Sequence, residues 1–392
     1  MLIQKIKNEL SPGLIRLREK TYRLTMRPVI MSFHDPDNGT TGTPSEILRQ
    51  SPFWKKQRII AIPACNEEEH IIPCLIALAT QSYVLPDKVV LWLNNTTDKT
   101  YDLAHSLQDK LPFALEIVQV VYHPHLASAG IARREALAHA ARHATPDALL
   151  FTTDADAEVS KDWIYRTLEA FVCYSVEAVF GRALLLPSEA EKIPLHLHQD
   201  EQAEQAYGAL LEQITVELCP EPHDPWPRHI EHSGASIAVT RQAWAQVDGI
   251  PNVPTGEDRQ FYKILKQNGI PVRHAPDVVV YVSARLSGRA QGGMAETLAR
   301  RIRAQDDYID EVFETVSRRL LRIRKELAYR FKNQSQPAVT ECPPTRIRRD
   351  DLENHVKRAQ RVLRFLRQTR TRCPANLERQ PADQYDSCIP AR

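Results

Sequence analysis

The chain has 392 residues, 43% hydrophobic and 26% charged, with a formal net charge of +2. This is the composition of a soluble globular protein with room for two or three units, and its balanced charge gives no reason to expect a nucleic-acid partner. No run reaches the roughly 18 apolar residues of a membrane span, and the first ten residues lack the core and cleavage site of a signal peptide.

Residues 1–56 read as an extension. Ile3, Ile6 and Leu10 suggest a short amphipathic helix, and the polar stretch 35–44 reads as loop. From Arg58 to about Tyr281 apolar strands alternate with helical patterns. Strands are expected at 58–63, 88–93, 115–121, 148–153, 178–180 and 236–239. Between the first four run the helical spacings Leu75, Leu78, Ala79; Leu103, Leu107; and Ala132, Ala136, Ala140. Continuous apolar strands separated by helices predict a mostly parallel sheet covered on both faces. From about Ala295 the pattern changes. Leu298, Ile302, Ile309, Val312, Val316, Leu320, Ile323 and Leu327 form one apolar helix stripe, and Leu352, Val356, Ala359, Leu363 and Leu366 form a second. The second helix carries Lys357, Arg358, Arg361, Arg364, Arg367 and Arg370, either a solvated face or a docking surface for an anionic membrane or a protein. Seven cysteines without a Cys-x-x-Cys pair fit reduced thiols, so the expected location is cytoplasmic, with peripheral membrane contact as a variant.

The chemistry gathers where strands end. Ala148-Leu149-Leu150-Phe151-Thr152-Thr153 runs into Asp154-Ala155-Asp156, hard oxygen ligands at the edge where open α/β sheets bind ligands. Alone, such a pair is more often a solvated strand-end turn. The first strand ends in Pro63-Ala64-Cys65-Asn66-Glu67-Glu68, which either caps the next helix or cups a nucleotide. The second ends in Asn94-Asn95-Thr96-Thr97-Asp98-Lys99-Thr100. Arg133, near the start of a helix, suits either a diphosphate contact or a surface ion pair. Thr255-Gly256-Glu257-Asp258 leads into another helix, where a carboxylate caps it or takes a proton from an acceptor hydroxyl.

Taken in order, Pro63-Ala64-Cys65-Asn66-Glu67-Glu68, Asn94–Thr100, Asp154-Ala155-Asp156 and Gly256-Glu257-Asp258 resemble the motifs of family 2 glycosyltransferases of the GT-A fold, over roughly residues 57–285. The resemblance implies a nucleotide-diphosphate sugar donor, Mn²⁺ or Mg²⁺, and an inverting transfer. Pro63, Ala64, Asn66, Glu67 and Asn94 would line the base and ribose. Asp154 would lie near the ribose and beside the metal, Asp156 would hold the metal, and Asp258, with Glu257 beside it, would be the general base. Two departures stand out. Leu93 occupies the place of the family's first acidic residue, which leaves the donor base open. The Gln-x-x-Arg-Trp signature of processive synthases is missing, which points to addition of one sugar or a few.

The expected architecture is α/β, a GT-A (Rossmann-like), mostly parallel sheet sandwiched by helices, with a helical C-terminal extension. Its boundaries are 1–56, 57–294 and 295–392. Arg285 and Arg289, in the Ser283–Gly293 segment, either close over the diphosphate or belong to an exposed turn. A sugar nucleotidyltransferase is the enzymatic rival, and a catalytically silent nucleotide-sugar-binding module is the other. The acceptor is open. Truncation after about Lys332 is expected to spare donor hydrolysis.

Overall fold

The computed structural model describes residues 44–123, 127–253, 255–285, 294–303, 307–310, 312–331 and 346–372. The chain divides into a unit ending at Lys56 and a unit running from Gln57 to Arg392. In the first, two short helices span Pro44–Gln50 and Pro52–Lys55. The helix expected around Ile3–Leu10 lies outside the described residues.

In the second unit the apolar runs become strands because burial on both faces rewards them. Strands β1 (Arg58–Ala64), β2 (Lys88–Asn94), β3 (Ala114–Val120) and β4 (Leu149–Thr152) pair in parallel, with Ile60 opposite both Val89 and Phe151. Ile59 through Ile62 and Leu149 through Phe151 are fully buried. Helices α1 (Ile71–Ala79), α2 (Thr100–Leu107) and α3 (Ala129–Arg142) make the crossovers. On α3, Ala132, Ala136 and Ala140 bring the helix close against Ile59, Ala61, Val90 and Leu150. Ser128 caps it by accepting from the Ile131 N–H at 3.2 Å.

Beyond β4 the sheet is no longer uniformly parallel. Next come β5 (Ala157–Val159), α4 (Trp163–Tyr174), β6 (Ala178–Leu185), α5 (Leu195–Leu218), β7 (Ile237–Thr240), α6 (Arg241–Gln246), α7 (Glu257–Gln267) and β8 (Val272–Val282). The strand order is β3-β2-β1-β4-β7-β6-β8-β5. β7 is antiparallel to both β4 and β6, β6 runs parallel to β8, and β5 is antiparallel to β8. Four of the seven pairings are thus parallel. The loops that follow β1, β2 and β4 open on one edge of the sheet, the usual place for a ligand.

The C-terminal region differs from its expected form. Instead of one stripe, α8 (Met294–Arg303) and α9 (Val316–Phe331) are separate helices. Between them Ile309 N–H donates to Ile347 O, and Arg349 N–H to Asp307 O, so this backbone pairs with a distant segment rather than with its own next turn. Helix α10 (Leu352–Arg372) follows. The long α5 does not join the sheet core. Its Tyr207, Leu211 and Ile214 share a second core with Val316 and Ile323 of α9 and with Leu352, Ala359 and Leu363 of α10. Inside this packing Arg319, 5% exposed, pairs with Glu212 at 2.5 Å.

That packing reverses the expectation for truncation. Removing everything after Lys332 uncovers α5 and deletes two buried leucines, each worth about 2–5 kcal/mol, from a total that is only about 5–15 kcal/mol. The shortened chain is expected to melt far below the full chain or to aggregate. Coincident thermal melts of the two would refute this.

Candidate active site

Three strand-end loops and the start of α7 supply the site. Glycine at 256, with φ +71°, turns the chain into α7 and leaves Glu257 and Asp258 in its first turn. There the helix dipole favours carboxylates. After β4, Thr152 and Thr153 are fully buried and Asp154 and Asp156 follow at the edge.

Arg133 organises one half of this cluster. It is 4% exposed and therefore does not face the cleft as a free diphosphate ligand. Its Nε donates to Glu257 Oε1 at 3.0 Å. One terminal nitrogen donates to Thr152 Oγ1 at 3.0 Å and to Gly234 O at 2.8 Å, and the other to Asp154 Oδ1 at 2.5 Å. A Cβ at Gly234 would lie 2.6 Å from the guanidinium carbon, so this close approach requires glycine. Glu257 is likewise buried and holds Arg133, which removes it from the candidates for proton transfer. Asp258 is placed differently. Its Oδ2 accepts from Gly234 N–H at 3.0 Å and its Oδ1 from Arg259 N–H at 2.7 Å. Burial, with the Glu257 charge adding to it, raises its pKa above the ordinary carboxylate value. A raised carboxylate suits a base that must pick up a proton.

Arg285 organises the other half. It donates to both oxygens of Glu67, at 3.0 and 2.8 Å, and pairs with Asp156 Oδ2 at 2.9 Å. The stretch before it is anchored too, since Ser283 Oγ and Ala284 N–H both donate to Glu189 Oε2. Ser283, Ala284 and Arg285 are thus not part of an exposed turn. Arg289 lies outside the described residues. Burial first, and the adjacent Asp154 charge second, push the Asp156 carboxyl up to about 7, while Arg285 pulls it down. The buried Cys74 thiol donates to Asp154 O at 3.5 Å. Burial and the nearby carboxylates raise its pKa, so it stays a neutral thiol.

The base-side loops are tied to one another. Asn66, in the left-handed region at φ +56°, accepts from Thr97 N–H at 2.7 Å, and Glu67 N–H donates to Thr100 Oγ1 at 2.7 Å. Asn95 exchanges hydrogen bonds with the Tyr122 backbone. Pro63 and Ala64 end β1, and Asn94, 7% exposed, ends β2. Asn66 and Glu67 thus brace loops and Arg285.

With this geometry in place, residues 59–215 match the family model described as Glycosyl transferase family 2. The match covers less than half of the chain and makes this segment similar to a family 2 glycosyltransferase domain. The mostly parallel α/β sheet flanked by helices has the architecture expected from the sequence. No curated protein matches the chain. Among solved structures, S. aureus TarS 1-349 in complex with UDP-GlcNAc is 15% identical, covering 80% of this chain and 87% of that one at a TM-score of 0.44. The mannosyltransferase PcManGT from Pyrobaculum calidifontis, in complex with GDP-Man and Mn²⁺, is 18% identical, covering 84% and 81% at 0.42. Against a longer S. aureus TarS chain, at 17% identity and a TM-score of 0.40, the match covers 58% of this chain but spans 36% of that one.

Sequence reasoning about the site missed Thr152, Gly234 and Glu189, which position Arg133, Asp258 and Arg285. The threonine pair at the end of an apolar strand was the one local signal; a glycine before a strand and a lone glutamate carry none. Among the described residues no three His, Cys, Asp or Glu side chains assemble into a closed metal site. The donor chemistry nonetheless fits a divalent ion. Asp154 and Asp156 are hard oxygen donors whose mutual repulsion is relieved by a cation, here the Arg285 guanidinium.

Proposed function

We propose that this domain moves a sugar from a nucleotide-diphosphate donor to an acceptor hydroxyl, with inversion, without processivity, and with Mn²⁺ or Mg²⁺ bound at Asp156 beside Asp154. One observation carries the reading: Asp154 and Asp258, 104 positions apart, are tied together through Arg133 and Gly234. A metal-side carboxylate and a base-side carboxylate thus flank a common scaffold, as a single displacement needs.

The chain's own residues divide the work. Asp258 takes the acceptor proton on a carboxylate oxygen, while the Gly234 and Arg259 N–H groups hold the carboxylate's orientation. Arg133 keeps Asp154 and the start of α7 in register. The bound metal ion would supply charge stabilisation to the departing diphosphate. Arg285, when it exchanges Asp156 for phosphate oxygens, adds to that neutralisation. Asn94 and the backbone at Pro63 and Ala64 border the base, and Asn66 and Glu67 shape the loop that holds it.

No helix of the described residues is long and apolar enough to cross a membrane. The exposed Lys357, Arg358, Arg361 and Arg364 of α10 form the face that we assign to peripheral contact with an acidic membrane or protein surface.

The deciding experiment compares Asp156→Ala with the parent in a thermal-shift panel of UDP, GDP, UDP-GlcNAc and GDP-mannose with Mn²⁺. The parent is expected to gain stability with at least one donor, about 2.7 kcal/mol at 100 times its dissociation constant. The variant should lose the metal-dependent part of that gain. Equal metal-dependent binding in both would remove Asp156 from the metal site.

A further inference from the structure

The outer faces of α9 and α10 concentrate positive charge in a chain whose net charge is only +2. From Lys357 to Arg372 helix α10 has no acidic residue, and α9 has one, the partly buried Glu326. On α9, Arg322, Arg324 and Lys325 are exposed, as are Lys357, Arg358, Arg361, Arg364 and Arg367 on α10. Three of these are neutralised locally, Arg322 by Glu314, Lys357 by Glu353 and Arg367 by Glu217. Arg324, Lys325, Arg361 and Arg364 meet no carboxylate among the described residues. Two large apolar side chains stand among these cations, Leu321 at 53% and Phe365 at 64% exposure.

The packing on α5 makes the two helices one surface. Near the middle of α5, Tyr207 donates to Glu314 O and stacks edge-on against His355. Further along α5, Glu212 pairs with Arg319 of α9 and Glu217 with Arg367 of α10. Both helices therefore run in the same sense as α5. Arg358 donates to Ser317 Oγ at 2.8 Å, which sets their register. Leu321 lies one turn beyond Ser317 on the same face of α9, and Phe365 two turns beyond Arg358 on α10. Ile323 and Leu363, on the opposite faces, are buried against α5. Leu321 and Phe365 are thus not displaced core residues.

We propose that α9 and α10 together form a docking surface for a bilayer that contains anionic lipid. Arg324, Lys325, Arg361 and Arg364 lie against the headgroups, and Leu321 and Phe365 enter the boundary between headgroups and acyl chains. This deepens the peripheral contact proposed above for α10 by committing it to one partner and extending it to α9. Like charges three and four positions apart on a helix repel one another, and an anionic surface relieves that repulsion. A nucleic acid would also neutralise the cations, but its phosphate backbone gives an aliphatic side chain nothing to enter. An acidic protein would need an apolar patch of its own set among carboxylates. A bilayer supplies the charged and the apolar layer at every point of its surface.

The test mixes the full-length chain with vesicles of phosphatidylcholine alone or with about one-third phosphatidylglycerol, and measures the bound fraction by sedimentation. Binding is expected to the anionic vesicles and not to pure phosphatidylcholine. Raising NaCl from about 0.1 M to about 1 M shortens the screening length from about 10 Å to about 3 Å and should weaken binding at least about tenfold. Arg361→Glu with Arg364→Glu should weaken it by about tenfold or more at low salt. Leu321→Ser with Phe365→Ser keeps every charge and should still weaken vesicle binding severalfold, leaving any binding to the soluble polyanion heparin unchanged. All four positions are exposed, so thermal melts of both variants should match the parent. Failure to bind anionic vesicles, equal binding to phosphatidylcholine, or parental binding by either variant would each overturn the inference. A heparin affinity that matches the vesicle affinity would overturn it too, in favour of a site for soluble polyanions. Thermal shifts with UDP or GDP and Mn²⁺, read on the same samples, keep the two readings apart. Donor binding without vesicle binding defeats the docking surface alone, and vesicle binding without donor binding defeats the donor reading alone.

Discussion

Arg133→Met is expected to destabilise the protein by about 3–5 kcal/mol and to abolish transfer. The guanidinium is buried and donates to Glu257, Thr152, Gly234 and Asp154 at once. Removing one partner of a buried ion pair costs that much because the other charge stays desolvated and unpaired. Here Glu257, 7% exposed, loses its charged partner, and Asp154, about one-third exposed at its side chain, loses a lesser share to solvent screening. Out of a total of about 5–15 kcal/mol, such a loss is large. Arg133→Lys keeps the charge but offers one point where four contacts need a planar fork, so it should fall between the two. Urea unfolding of the three proteins checks this. A Met variant within about 1 kcal/mol of the parent would show that Arg133 does not hold the two halves of the site together.

Asp258→Asn is expected to lower transfer or donor hydrolysis by on the order of 10² to 10⁴ while nucleotide affinity hardly moves. The amide fills the same space but cannot take a proton. It also keeps one acceptor oxygen where the carboxylate serves both Gly234 and Arg259. A stability loss of about 1 kcal/mol should therefore accompany the change. The pH profile separates the two effects. Burial, and then Glu257, raise the Asp258 pKa, so the carboxylate is protonated at low pH and the parent's rate climbs as pH rises through that raised value. In the Asn variant this limb should disappear. Near-parental turnover, or an unchanged acid limb, would move the base elsewhere.

The alternation of strands and helices and the strand-end motifs were legible before any coordinates. Apolar runs at 58–63, 88–93 and 148–153 emerged as β1, β2 and β4 within a residue or so. Such strands are buried on both faces, and that burial is written in the residues themselves. The polar loops after them had to fall on one edge, because parallel strands joined by crossovers all point the same way. Less was visible past β4. The short β5 has three residues, too few to show a period, and the antiparallel placement of β7 follows from pairing with β4 and β6, which no local pattern encodes. Helix α5 was missed because its apolar face answers to α9 and α10 rather than to the sheet.

The site divides along the same line. By itself the sequence determined which carboxylates stand at strand ends and helix starts, and with them the class of chemistry. Local backbone preference and burial are short-range properties, so they survive in a linear reading. Tertiary structure alone decided what each charge does. Arg133 read equally well as a phosphate ligand or a surface ion pair until its burial against Glu257 and Asp154 made it the brace of the site. Arg285 met Glu67 across 218 positions. Ionic and hydrogen-bonding partners are chosen by distance in space and by the local dielectric, and neither is fixed until the chain has packed.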